Sequence, residues 1–322
     1  MRLPDRLSQA IEQELESVDY ARLRQAVAQL TVQYQDASFA GPVIASEALR
    51  AAYLAVRLPA TYAAIARVLE EIVQRAPLVE IGSLLDLGSG PGTALHAAAE
   101  AFPSMRQATA IESDADLSAL GKRLGAQSAH EAVRSARWIP ADLRSGVNAG
   151  RHDLVVLSYA LGELPAVAVN KVLTDAWAAA GEFLVLIEPG TKRGFGVVHS
   201  ARSWLIAAGA PILAPCPHTD TCPMAAAGDW CHFSARVERT SMHRRLKGGA
   251  LGHEDEKFSY IVASRRPLPP ASSLIIRHPQ KSSGFVRLQL CTPQGLENRT
   301  VTRSQKDHYR AARKAEWGDG WS

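Results

Sequence analysis

Cysteine is scarce in this chain of 322 residues: none precedes Cys216, and only Cys222, Cys231 and Cys291 follow it. So few exclude a small disulfide-stapled scaffold. Long apolar runs are absent too; no stretch approaches the ~20 consecutive apolar residues that a membrane-spanning helix needs. The opening stretch M-R-L-P-D-R-L-S-Q-A-I-E-Q-E-L-E has no signal-peptide apolar core and is too acidic for a transit peptide. A cytoplasmic location without membrane contact is therefore expected. Nor is there a large excess of one charge: 36 Lys and Arg against 32 Asp and Glu leave a formal +4. No internal repeat or low-complexity segment marks a solenoid or a disordered linker.

What is present is globular. Apolar residues make up 47% and charged residues 21% of a length that suits one large domain with additions, or two domains. The small positive excess is unevenly placed. Arg299 to Lys314 holds six Lys or Arg against Asp307 alone, and His243-Arg244-Arg245-Leu246-Lys247 forms a second knot. Such knots serve as solvated faces or as phosphate contacts on RNA.

Helical periodicity dominates the start. Leu7, Ile11, Leu15 and Val18, then Leu23, Val27 and Leu30, form an apolar stripe at three- and four-residue steps. A loop follows around residues 38–42. A second helical region, broken at Pro59, resumes through Ile65, Leu69 and Ile72. Residues 1–77 are thus expected as a helical N-terminal domain. From Ile81 strands are expected at 83–87, 107–112, 136–141, 153–158 and 183–188, with helices at 92–101, 115–124 and 167–179 between them. This alternation predicts an α/β, doubly wound parallel sheet. A further helix is expected over 196–208. The next strand signals come at 258–264 and 284–290, so the stretch of about 210–256 reads as an insertion. Residues 292–322 read as a basic tail.

The segment I-G-S-L-L-D-L-G-S-G-P-G-T from Ile81 runs a strand into glycines and then a helix. Gly88, Gly90 and Gly92 allow tight turning and close approach of backbone to a ligand. Nicotinamide and S-adenosylmethionine sites share this pattern. Three carboxylates favour the second: Asp86 before the first glycine, Glu112 closing the second strand to take ribose hydroxyls, and Asp142 after the third strand to take an adenine amino group. Asp114 and Asp116 read as loop or cap carboxylates. This arrangement resembles the class I S-adenosylmethionine-dependent methyltransferases over roughly 80–291. That resemblance implies seven strands with the last one antiparallel.

After the fourth strand the chain reads D-L-V-V-L-S-Y-A-L-G-E-L-P from Asp153. The Asn/Asp-Pro-Pro-aromatic motif of amino-directed nucleic-acid methyltransferases is missing. Ser158 and Tyr159 stand where a cytosine C5 enzyme needs its nucleophilic cysteine. Methyl transfer from a sulfonium chiefly requires alignment, so the candidate catalytic residues are only Tyr159 and Glu163.

The cysteines are spaced C-x5-C and C-x8-C, with Cys291 far downstream. Four thiolates suffice for a tetrahedral zinc site or an iron–sulfur cluster. The spacing departs from the C-x2–4-C pairs of zinc ribbons, and His218 or His232 in place of Cys291 would complete an alternative zinc site. The segments P-C-P-H-x3-C-P from Pro215, D-W-C-H-F from Asp229 and E-D-E-K-F-S-Y from Glu254 go further. With L-P-A-T-Y from Leu58, L-S-Y-A-L-G-E-L from Leu157, I-E-P-G-T from Ile187 and A-R-K-A-E-W-G from Ala312, they are similar to the mitochondrial small-ribosomal-subunit assembly methyltransferase-like family and its bacterial relatives. The resemblance implies a [4Fe–4S] cluster on Cys216, Cys222, Cys231 and Cys291, bound S-adenosylmethionine, and association with ribosomal RNA in the maturing small subunit. The chain is expected to be a bacterial member and a monomer apart from the ribosome.

Two functions follow as expectations: an RNA methyltransferase of small-subunit maturation, or a non-catalytic assembly factor keeping the fold and the cluster for binding. A small-molecule methyltransferase would leave the basic segments and the cysteines unexplained.

Overall fold

The computed structural model describes residues 1–35, 44, 46–239, 241–247 and 252–321; the loop expected at 38–42 lies outside them. These residues divide into two compact units. The first comprises Met1–Arg67, Ile81–Ser145 and Ala235–Glu256, the second Val68–Glu80, Gly146–Ser234 and Lys257–Ser322. The fold is mixed α/β with a central sheet. Among the described residues, no helix is long and apolar enough to cross a membrane.

The chain opens with helices α1 (Asp5–Leu15), α2 (Tyr20–Gln35) and α3 (Glu47–Ala52), and α4 (Leu58–Arg75) follows. Leu7, Ile11, Leu15, Leu23, Val27 and Leu30 are buried, as their spacing requires; Val18 is half-buried. The break expected at Pro59 does not occur. Residues Tyr53–Arg57 instead make a π-helical turn in which the Leu58 amide bonds to the Tyr53 carbonyl. The widened turn leads straight into α4, with Pro59 in its first turn, where a missing N–H costs little.

Next come β1 (Ser83–Leu87), α5 (Thr93–Ala101), β2 (Gln107–Ile111), α6 (Ala115–Ala126), α7 (Glu131–Arg134) and β3 (Arg137–Ile139). In this first unit β3, β2 and β1 pair in parallel, in that order.

The second unit carries β4 (His152–Ser158), α8 (Ala166–Ala179), β5 (Ala180–Pro189), α9 (Lys192–Ala207), β6 (Ile212–Ala214) and α10 (Pro223–Ala226). In chain order β7 (Phe233–Glu238), α11 (Ser241–Lys247) and β8 (His253–Ser264) come next, with residues Ala235–Glu256 of this stretch belonging to the first unit. Strand β4 lies parallel to β5, β8 antiparallel to β5, and β6 antiparallel to β8. Among the described residues β7 also pairs with β8, a strand that the expected seven did not include.

The remaining elements are β9 (Ser273–Ile275), β10 (Gln280–Lys281), β11 (Phe285–Thr292), β12 (Gly295–Thr302), α12 (Lys306–Lys314) and β13 (Gly320–Trp321). They correct the expected strand order. The strand read at 284–290 was expected to close the central sheet, but it is β11 of a separate antiparallel sheet, of five strands among the described residues. The antiparallel place beside β5 belongs to β8, and the short β6 flanks it. The cysteine stretch therefore follows β6, rather than separating strand five from strand six. Alternate residues Val286, Leu288 and Leu290 are fully buried against Ile275, Val301 and Ala312, while Arg287 and Gln289 face solvent. One dry face and one wet face are the mark of an antiparallel sheet covered on one side. Residues 292–322, expected as a basic tail, include β12, α12 and β13, with Trp317 and Trp321 buried.

Candidate cofactor and metal sites

The turn from β1 into α5 takes its shape from its glycines. Gly88, Gly90 and Gly92 have φ of 69°, 53° and 80°, a left-handed region that costs other residues energy. The Gly88 and Ser89 amides donate to the Ile111 carbonyl at 2.9 and 3.0 Å. Glu112, just past β2, accepts from the Gly90 amide at 2.8 Å through Oε2 and from the Asp114 amide at 2.8 Å through Oε1. A Cβ built on Gly90 meets nothing within 4 Å, so that side of the loop is open. Asp114 caps α6 by accepting from the Asp116 and Leu117 amides, and Asp116 pairs with Arg50 at 3.1 Å.

Asp86 is 1% exposed, and neither of its carboxylate oxygens has a hydrogen-bond partner. Burial, and then the charge of Glu112, push its pKa up to about 8. The Ser89 and Thr93 hydroxyls are likewise buried without partners. A group of unmatched polar atoms around a glycine turn is costly in isolation. It fits a polar ligand carrying a cationic group for Asp86, and each Glu112 oxygen keeps a lone pair for a hydroxyl. S-adenosylmethionine, with its ammonium and its ribose diol, matches that set. Asp142 differs. Its carboxylate accepts from the Arg144 amide at 2.8 Å and from Arg144 Nε at 2.7 Å, and those bonds draw its pKa below the usual range. The acceptor expected for an adenine amino group is turned onto Arg144.

In the second unit Tyr159 follows β4 with φ 58°, and its amide donates to the Ile187 carbonyl at 2.7 Å. A left-handed tyrosine is an energetic outlier of the kind held at functional turns. Glu163 is exposed. Sequence reasoning gave no role to Glu188, which is 3% exposed at the end of β5. Its Oε1 accepts from the Gly162 amide at 3.0 Å, and burial raises its pKa to about 7 against the opposing bonds from Gly162 and Leu161. The signal was a lone carboxylate closing an apolar strand, in I-E-P-G-T.

The four cysteines also lie in the second unit, all free thiols lining one cavity with Arg202, His218, Met224 and Tyr260. Cys291 enters from β11, not from the central sheet. Burial raises the pKa of Cys231 well above the ordinary range, and the charges of Cys216, Cys222 and Cys291 add to the effect. Cys291 is pushed up to about 12, first by burial and then by Cys216 and Cys222. Bringing such thiols to thiolates calls for a neighbouring cation, the service a metal performs. His218 Nε2 lies 3.6 Å from Cys291 Sγ. His232 is not among the lining residues; it stacks on Trp230, with ring centroids 5.2 Å apart. Among the described residues no group of three or more His, Cys, Asp or Glu is arranged to hold a metal ion. The four thiols nonetheless line one cavity, the donor set that a thiolate-bound centre draws on.

The knot at 243–247 is largely structural. His243 is fully buried 3.2 Å from Glu254, and Arg245 lies over the Tyr20 ring. Lys306, His308, Arg310, Arg313 and Lys314 of α12 are exposed.

Residues 47–322 match a family described as "Mitochondrial small ribosomal subunit Rsm22". The chain belongs to the Rsm22 family. It is 28% identical over 320 residues to the human "Ribosome assembly protein METTL17, mitochondrial", covering 91% of this chain and 66% of that protein. It is 27% identical to the "Rsm22-cox11 tandem protein 2, mitochondrial" of Schizosaccharomyces pombe, covering 83% of this chain and 42% of that one. This Rsm22-family chain thus spans between about two fifths and two thirds of the length of these relatives. Among solved structures, magnesium protoporphyrin IX methyltransferase from Synechocystis PCC 6803 with bound SAM superposes at a TM-score of 0.42. It shows 13% identity, covering 82% of this chain and 98% of that one.

Proposed function

We propose that this Rsm22-family chain binds S-adenosylmethionine at its glycine turn, carries a thiolate-bound [4Fe–4S] cluster, and acts in maturation of the small ribosomal subunit. The observation that carries the reading is Asp86: a fully buried carboxylate without a partner, beside a glycine turn whose Gly90 amide is anchored to Glu112. Asp86 would face the ligand's ammonium, the Gly88–Gly92 backbone would line its methionine end, and Glu112 would take its ribose hydroxyls. When bound, S-adenosylmethionine supplies an electrophilic methyl group on a sulfonium. Cys216, Cys222, Cys231 and Cys291 would hold the cluster, with zinc as the competing occupant. The exposed cations of α12 offer contacts to ribosomal RNA, and the names of the human and fission-yeast relatives support the ribosomal setting.

RNA methyl transfer is the activity in this reading, and Tyr159 and Glu163 are its candidate catalytic residues. A second reading, an assembly factor without turnover, is favoured by the segment after β4, L-S-Y-A-L-G-E-L from Leu157, which carries no diagnostic motif for an acceptor base. One experiment separates them. Cells lacking the chain receive the wild type or Glu112→Ala, and small-subunit precursors and ribosomal RNA methylation are both followed. Lost methylation with Glu112→Ala supports the enzyme. Normal maturation and unchanged methylation with that variant, in protein shown to have lost cofactor binding, would overturn any role for the site.

A further inference from the structure

Arg202 of α9 is 5% exposed and lines the four-cysteine cavity. Its Nε donates to Cys216 Sγ at 3.3 Å, and one terminal nitrogen donates to the His218 and Asp220 carbonyls at 3.0 and 2.8 Å. Among the described residues no carboxylate forms an ion pair with it. A guanidinium stays charged at every accessible pH, and burying one is costly unless an anion answers it. Two carbonyls answer its hydrogen-bonding capacity but not its charge. A neutral thiol is a weak acceptor, whereas a thiolate makes a strong charge-assisted bond. The missing anion is therefore sought in the cysteine group. Four thiolates around a divalent core leave a net charge of about −2, enough to need a buried counter-cation.

We propose that Arg202 is the internal counter-cation and positioning residue of the cysteine centre. It fixes the Cys216–Asp220 loop through the two carbonyls and stabilises the more anionic state of the centre through the N–H···S bond. Hydrogen bonds to sulfur and nearby charge are levers on the potential of thiolate-bound iron. Removing this one favours the less negative, oxidised state. The proposal rests on the cluster reading given above, and its test separates the two.

The full-length wild type, Arg202→Gln and Arg202→Lys are purified anaerobically. Metal content, midpoint potential by optical titration, and metal release to a chelator are then measured. Melting curves of the metal-free proteins establish that the variants fold. In iron-loaded protein, Arg202→Gln is expected to shift the reduction equilibrium about tenfold toward the oxidised form, ~59 mV lower for one electron, and to release iron severalfold faster. Arg202→Lys keeps the charge and should recover most of the potential while still releasing iron faster, since an ammonium lacks the planar fork. Potentials and release rates unchanged in both variants overturn the proposal. So does an equal shift of potential in both, because charge would then not be the agent. Zinc in the wild type would sink the cluster reading alone; Arg202 is then judged by zinc release, and equal rates in wild type and Arg202→Gln overturn it. Wild-type protein without any metal overturns both.

Discussion

The Gly90 amide donates to Glu112 Oε2 at 2.8 Å, across twenty-two residues of sequence, and the same carboxylate holds the Asp114 amide. One side chain thus fixes both the glycine turn and the entry to α6. Hydrogen bonds to a charged acceptor are worth about 1.5–3 kcal/mol each. Glu112→Ala should therefore weaken S-adenosylmethionine binding at least tenfold and lower the melting temperature, and Glu112→Gln should lose less. Calorimetric titration of the two variants tests this; equal affinity in Glu112→Ala and wild type contradicts it.

Asp86 makes a pH prediction of definite sign. Its native pKa, raised to about 8, exceeds the ~3.9 of an unfolded aspartate. Between those values the native state binds more protons than the unfolded one, so this group lowers stability as pH rises from about 4 to about 8. Asp86→Asn should melt higher than wild type near pH 8 in the absence of ligand, and the gap should close toward pH 4. The same variant should lose cofactor affinity, stability having been traded for function. A stability gap that stays constant with pH contradicts the assignment.

Two glycines on α9 offer an internal comparison. A Cβ on Gly194 would lie 2.0 Å from the Pro189 carbonyl oxygen, whereas one on Gly196 meets nothing within 4 Å. Gly194→Ala should cost about 1–3 kcal/mol or more, because backbone must move. Gly196→Ala should be neutral or stabilising by about 0.5–1 kcal/mol. Urea denaturation of both variants decides; a harmless Gly194→Ala removes the close packing of α9 on the end of β5.

Metal removal should act through Cys291. It sits on β11, paired with Leu274 of β9 and Leu296 of β12, while its three partners follow β6. A chelator should lower the melting temperature of wild type, and Cys291→Ser should resemble the chelated protein. Wild type whose melting is indifferent to chelation would show that no metal joins these segments.

The parts legible in the sequence were local. The β1 turn announces itself because three glycines and a preceding strand lie within a dozen residues, and the stripe from Leu7 to Leu30 reports its own buried face. Strand β6 gave no warning: at three residues, Ile212–Ala214, it is too short for alternation to show. Strand β11 was seen but misassigned, since alternation reveals a half-buried strand and not the sheet it joins. Arg202 was illegible for a different reason: it is a polar residue in an otherwise ordinary helix, and its meaning comes from what the fold brings beside it. Glu188 did leave a signal, a lone carboxylate closing an apolar strand, but not its partner Gly162. Asp142 follows β3, and Arg144, two residues on, takes its carboxylate.

The most direct test is a titration of S-adenosylmethionine into the purified wild-type chain, with Asp86→Asn alongside. Saturable one-to-one binding by the wild type, weakened at least tenfold in the variant, is the expected result. No binding by folded wild-type protein, or equal binding by both, would contradict a cofactor site built on Asp86 and the glycine turn.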